Sequence, residues 1–247
     1  MKLYLVRHGQ STGNVGGTLM GQSDHPLTAL GEEQARAAAA HLAPLGPMPV
    51  RSSDLPRARA TAGFIVAAWK GSIVLDPRLR EIDMGAYEGR SWEEFEADEE
   101  LKAAFASDPY GTVLPGGESL ADVEARVLAA VRDVLAAHDI GPEGDLSTDS
   151  VAAADASAAA TGSNAAEPGE NACIVAHDGP IRAILNHYLG VPPEKWWTLS
   201  TTHGGVSLLE FSGGWVNVRY VNATSHLAGL GDPVYVPSEP DVEPAAG

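Results

Sequence analysis

Apolar residues fall in short runs along this chain, and the runs alternate with segments whose apolar positions recur every three or four residues. Residues 2–7 (KLYLVR) carry an apolar run with no polar alternation, the pattern of a strand buried on both faces. Further short strands are expected over Pro49–Ser53, Ser72–Leu75 and Cys173–Ala176. Val206–Phe211 and Trp215–Val221 flank Ser212-Gly213-Gly214 and read as a hairpin. Between the strands lie helical patterns. Thr28 caps an alanine-rich helix reaching Leu45, with Glu32 and Glu33 in its early turns. Asp54 is positioned to cap a helix to about Lys70, with Pro56 tolerated in its first turn. Glu93–Ala106 reads as one acidic helix and Pro180–Leu189 as a helix opening on proline. Ser119–His138 has the strongest helical pattern, with Leu120, Val123, Val127, Val131 and Val134 on one stripe.

Strands alternating with helices predict an α/β fold, a three-layer sandwich around a mostly parallel sheet. The expected organisation is a single domain over residues 1–230. Residues 141–171, rich in Ala, Ser, Asp and Gly, read either as a poor helix or as a flexible insertion. The insertion is preferred because the segment has little to bury. A proline-rich tail follows over 231–247.

Composition narrows the function. The 247 residues hold 16 Lys+Arg against 33 Asp+Glu, a formal net charge of −17, which argues against nucleic acid and anionic membranes as partners. An anionic substrate would need a local positive pocket. The single cysteine, Cys173, forms no intrachain disulfide and sits in an apolar run. No segment approaches the roughly 18 apolar residues of a membrane span, and the short apolar start broken by Arg7 does not read as a signal peptide. A cytoplasmic protein is expected. The Trp196-Trp197 pair reads as core or as a patch for a second subunit, so a homo-oligomer stays open.

In an open α/β sheet, ligands bind beyond the carboxyl ends of the strands. Arg7-His8-Gly9 ends the first strand there, and His177 ends a later one. Arg57 opens the helix that follows another strand, and Glu81 lies in a glycine-containing loop after a third. Singly, each has an ordinary structural reading: a hydrogen-bonded histidine, a solvated arginine or glutamate. Jointly, two histidines and two arginines converging on one face make a dense positive site on an acidic protein.

Seven motifs run in order: RHGQSTGN (7–14), DHPLTALGEEQA (24–35), SSDLPRARATA (52–62), LREIDMGAYEG (79–89), LPGGES (114–119), AHDGPIR (176–182) and NATSHL (222–227). In these the chain resembles the histidine phosphatase superfamily, also called phosphoglycerate-mutase-like, over nearly its whole length apart from the insertion and tail. The resemblance implies a nucleophilic His8 that takes up a phosphoryl group. It implies that Arg7, Arg57 and His177 hold the phosphate oxygens; on physical grounds His177 is more useful there as a cation. Asn14 would add a neutral hydrogen bond, Gln22 falls among the substrate-binding residues, and Glu81 would protonate the leaving oxygen. No metal or other cofactor is implied. One departure stands out: Asp178 follows His177 where the family usually has glycine. This carboxylate would raise the His177 pKa, repel the substrate, or point away and cap the helix near Pro180; the last is preferred.

The family contains mutases and phosphatases. Between Arg90 and Leu114 the cations are Arg90 and Lys102, against Glu93, Glu94, Glu96, Asp98, Glu99, Glu100 and Asp108. That segment is poor at gripping a substrate carboxylate, so a metal-independent phosphatase for a small phosphorylated metabolite is preferred. A phosphoglycerate mutase is the second reading and a silent phosphate-binding protein the third. Trp92, Phe95 and Phe105 read evenly as a substrate lid or as helix core.

Overall fold

A computed structural model describes residues 1–138, 140 and 170–230, the first helix, α1, being the single turn Thr12–Val15. Strand β1 (Lys2–Arg7) runs through the middle of a six-stranded sheet, between β4 (Asn171–Ala176) and β5 (Val206–Ser212). With β2 (Val50–Ser52), β3 (Ile73–Leu75) and β6 (Trp215–Ala223), the order across the sheet is β3-β2-β4-β1-β5-β6. The pairings from β3 to β1 are parallel, and β5 and β6 close the other edge antiparallel.

Two-residue alternation sends the β1 side chains to two separate cores. Leu3 and Leu5 pack with α6 (Leu120–Ala136) and α7 (Asp178–Leu189), while Tyr4 and Val6 pack with α2 (Ala29–Leu42) and α3 (Pro56–Ala67). A strand flanked on both faces must be apolar at every position, which is why 2–7 carries no polar alternation. The stripe Val123, Val127, Val131 and Val134 is buried as its spacing demands. Ser119 and Asp122 form the capping box that starts α6. Small residues let α2 and α3 approach closely: Ala35, Ala38, Ala58 and Ala62 are all fully buried.

Several boundaries differ from the sequence reading. Asp54 does not cap α3; Leu55 is the N-cap residue, and the Asp54 carboxylate is taken by Arg80 Nε (2.7 Å) and Nη2 (2.5 Å). The acidic helix is two helices, α4 (Trp92–Glu96) and α5 (Glu99–Ser107), because Asp98 accepts from Leu101 N–H and caps the second. Strand β4 starts at Asn171, and α7 starts at Asp178 rather than Pro180. Phe95 and Phe105, both partly buried, pack against the cluster of Leu19, Met84, Tyr87, Leu101 and Leu114, while Trp92 is exposed. The tryptophan pair divides: Trp196 is buried, while Trp197 is 65% exposed. The tail 231–247 and the insertion, save Glu170 and Asn171, lie outside the described residues. Among the described residues, no helix is long and apolar enough to cross a membrane.

Register places the chemistry. Arg7 pairs with Ala176 and Ser52 with Val175, so the next residues, His8, His177 and Ser53, leave the sheet side by side. Two backbone bonds beyond the ladder keep them aligned, His8 N–H to Ala176 C=O and Ser53 N–H to Val175 C=O, both 3.0 Å.

Candidate active site

His8 is 2% exposed, and its Nδ1 lies 2.7 Å from the Gly9 carbonyl. A carbonyl only accepts, so Nδ1 carries the proton and Nε2 keeps its lone pair. Burial lowers the His8 pKa well below its ordinary value, and His177, Arg57, His203 and Arg7 add to the effect. The ring is therefore neutral at neutral pH, with one bare nitrogen. Gly9 cannot carry a side chain: a Cβ there would lie 2.1 Å from the Gly31 carbonyl at the start of α2. The same glycine's N–H is held by Thr61 Oγ1 at 3.1 Å.

Arg57, on the first turn of α3, is fully buried with its guanidinium distributed among three acceptors. Nη1 donates to Ser23 C=O (2.9 Å), Nη2 to Gly21 C=O (2.6 Å) and Nε to His177 Nδ1 (3.2 Å). The loop that supplies those carbonyls is gathered by one carboxylate. Glu88 accepts from the N–H groups of Gly21, Gln22 and Ser23 at 3.0–3.2 Å and from the Ser23 hydroxyl. Arg7, on the other side, donates from Nη1 to Thr201 C=O (2.6 Å) and lies 3.8 Å from Asp178 Oδ1.

His177 is fully buried beside His8, with ring centroids 4.8 Å apart. Since Arg57 donates to Nδ1, the proton of His177 sits on Nε2 and is given to Ser53 Oγ at 2.8 Å. Burial first, then Arg57, Arg7 and Arg126, push its pKa well down. The expected cationic His177 is thus corrected: it is a neutral donor, because an arginine already occupies the nitrogen that would take the second proton.

Glu81 faces these groups from the loop after β3. Its Oε1 accepts from Ile82 N–H (3.0 Å) and Gly179 N–H (3.2 Å), and Oε2 lies 3.3 Å from the same Gly179 nitrogen. Burial raises its pKa above the ordinary carboxylate value and Asp178 adds to the rise, while the two amides and Arg57 oppose it. The loop is fixed from α6 by Arg126, which donates to the carbonyls of Arg78 and Arg80 (2.7 Å) and of Glu81 (3.0 Å) and is paired with Glu118.

Other expected residues are placed less simply. Asn14 Oδ1 accepts from the N–H and hydroxyl of Ser11, both at 2.8 Å, which turns its amide nitrogen into the group able to donate. Gln22 Nε2 donates to Glu81 C=O (3.1 Å) and Oε1 accepts from Arg80 (3.3 Å), so it braces the Glu81 loop. Asp178 does not cap α7, whose N-cap is His177 without a side-chain bond. The arrangement offers a bare imidazole nitrogen, guanidinium and imidazole donors around it, and a carboxyl biased toward protonation. That set fits displacement at an anionic phosphorus centre.

Comparison with known proteins agrees. The family model described as the histidine phosphatase superfamily (branch 1) matches residues 3–141 and 148–224. The chain belongs to the histidine phosphatase superfamily. Within it, one relative is a probable phosphoglycerate mutase GpmB of Yersinia enterocolitica, 30% identical over 92% of this chain and 95% of that one. A probable GpmB of Enterobacter sp. is 41% identical over 55% of this chain, and the match spans 63% of that relative's length. Among solved structures, Bacillus stearothermophilus YhfR superposes with a TM-score of 0.74 at 25% identity, covering 92% of this chain and 98% of that one. A mycobacterial glucosyl-3-phosphoglycerate phosphatase solved with inorganic phosphate gives 0.70 at 28% identity, covering 91% and 98%.

Sequence reasoning missed Ser53, Glu88, Arg126 and His203, although Ser53 and Glu88 stand inside quoted motifs. His203 lies with its ring centroid 5.6 Å from that of His8. Its place comes from the β5 register and had no local signal. Glu88 has a testable role. Glu88→Gln replaces a carboxylate with an amide that cannot accept on both sides, so the loop under Arg57 shifts. A phosphatase activity with KM raised about ten- to hundredfold and kcat less affected is expected. Steady-state kinetics together with inhibition by inorganic phosphate check it.

Proposed function

We propose that the protein is a phosphomonoester phosphatase for a small phosphorylated metabolite, working through a phosphohistidine on His8 without a metal ion. His8 Nε2 attacks phosphorus as the bond to the ester oxygen breaks, and Glu81 gives its proton to that oxygen. Water then attacks the phosphohistidine, Glu81 takes the water's proton, and Nε2 regains its lone pair. Arg7 and Arg57 donate to the phosphoryl oxygens during both transfers through the N–H groups their protein contacts leave over, and His177 joins them where its Nε2–H turns from Ser53 to the phosphate. The observation that carries this reading is the fixed tautomer of His8, with Nδ1–H tied to the Gly9 carbonyl and Nε2 open.

Phosphatase is preferred over mutase on the Arg90–Leu114 segment. Its two cations are otherwise engaged: Lys102 pairs with Glu99 at 3.1 Å, and Arg90 lies over the Tyr87 ring at 5.4 Å. Neither is poised to hold a substrate carboxylate. The names of the GpmB relatives keep the mutase reading as the alternative. The test is turnover of p-nitrophenyl phosphate with EDTA present, beside an assay for isomerisation of 3-phosphoglycerate. Rapid phosphate release without isomerisation supports the phosphatase, isomerisation supports the mutase, and silence in both sinks enzymatic turnover.

A further inference from the structure

Asp178 opens α7 directly after His177, and the structure gives it defined work. Both carboxylate oxygens are taken by the protein: Oδ1 accepts from Thr201 Oγ1 (2.5 Å) and Oδ2 from Arg182 Nε (2.7 Å). With both oxygens engaged it is not placed to bind substrate. Arg182 is held in turn by Trp197, donating to its carbonyl at 3.3 Å beneath the indole ring. On the pocket side, Asp178 Oδ1 lies 3.8 Å from Arg7 Nη1, the same nitrogen that Thr201 C=O holds. One carboxylate therefore links β1, the start of α7 and the segment before β5 around Arg7.

The next residue matters as much. Gly179 N–H donates to Glu81, and a Cβ at Gly179 would lie 2.4 Å from Glu81 Oε1. Glycine here lets the acid rest directly on the Asp178–Gly179 peptide, so the two carboxylates flank one peptide group. Burial disfavours the ionised form of Glu81, while the polar groups around it favour that form. The amino end of α7 presents the Gly179 amide, Ile82 presents a second, and Arg57 faces it from α3. Arg126 from α6 and Gln22 bind its backbone carbonyl, and Arg80 lies beside Gln22. These donors work against burial and pull the acid toward early loss of its proton. A like charge next door opposes that loss.

We propose that Asp178 is a positioning residue for the reaction: with the Thr201 carbonyl it holds Arg7 at the pocket edge, and across the Gly179 peptide it sets a like charge beside the buried Glu81. This rests on the phosphatase reading, with Glu81 as the acid. The experiment is the pH profile of kcat/KM for an alkyl phosphate monoester, which needs a protonated leaving group, in wild type, Asp178→Asn, Asp178→Gly and Thr201→Val. The basic limb is expected about one pH unit lower in both Asp178 variants. It should stay in place in Thr201→Val, which keeps the carboxylate and removes one hydrogen bond. Inhibition by inorganic phosphate should weaken severalfold in the Asp178 variants as Arg7 loses its anchor. A basic limb unmoved in whichever Asp178 variant folds, or moved equally in Thr201→Val, overturns the proposal. A wild type with no basic limb, or no turnover, overturns the phosphatase reading instead.

Discussion

With His8 replaced by alanine, kcat/KM for any phosphomonoester is expected to fall by about 10⁴-fold or more. Wild type quenched within milliseconds of mixing with labelled ester should carry acid-labile, alkali-stable phosphate on that side chain, and the variant none. The size of the loss follows from the lack of a substitute. His177, the nearest imidazole, has Nδ1 occupied by Arg57 and Nε2 by Ser53. Both of its nitrogens are committed, so it cannot take over the attack. His8→Ala also strips the Gly9 carbonyl of its donor in a buried place, so His8→Asn serves as a second variant whose amide can still reach it. Equal loss in both, with unchanged unfolding midpoints in urea, assigns the effect to chemistry. Activity within tenfold of wild type in either would remove His8 as the nucleophile.

Legibility in the sequence tracked how local each cause is. The β1 run was readable because a strand buried on both faces tolerates no polar position, and the helix α6 because its stripe repeats with the helical turn. From those elements, the strand-end rule brought His8 and His177 to one place, and the parallel Arg7–Ala176 register put their rings 4.8 Å apart. What escaped depends on contacts between distant segments. Asp54 looks like a cap in its own neighbourhood, but Arg80, 26 residues on, competes for the carboxylate with a charge and two donors. The acidic helix looked continuous because its charges are, yet Asp98 caps within it. His177 was expected to be charged because a pocket for an anion welcomes cations. Its burial and the Arg57 bond to Nδ1 decide otherwise, and neither is written in the local sequence. Arg126 had no signal at all: on a helix wheel it is one more polar residue, and only folding brings it under the loop that carries Glu81.

Glu81→Gln should separate substrates by their leaving groups. For an alkyl phosphate, whose departing oxygen is a strong base, the loss in kcat/KM is expected to be about 10²–10⁴-fold, the usual worth of a placed general acid. For p-nitrophenyl phosphate, which releases a stabilised anion, the first transfer needs little proton donation and the loss in kcat/KM should be at most about tenfold, whereas kcat falls for both esters because Glu81 also activates the water. The pH dependence has a definite sign. Burial raises the Glu81 pKa above that of a free carboxylate, so the acid is present at low pH and is lost as pH rises through the raised value. Burial lowers the His8 pKa, so the nucleophile is lost only as pH falls through a value below the ordinary imidazole range. The two shifts move toward each other, so for alkyl esters the optimum lies between the lowered His8 value and the raised Glu81 value. Glutamine cannot ionise, so the basic limb should disappear in Glu81→Gln while the acid limb, set by His8 and the substrate's own ionisation, stays. Equal losses for both esters, with the basic limb retained, would mean that Glu81 only shapes the pocket. The proton would then have to come from elsewhere, and His203, whose ring lies beside that of His8, is the group to examine next.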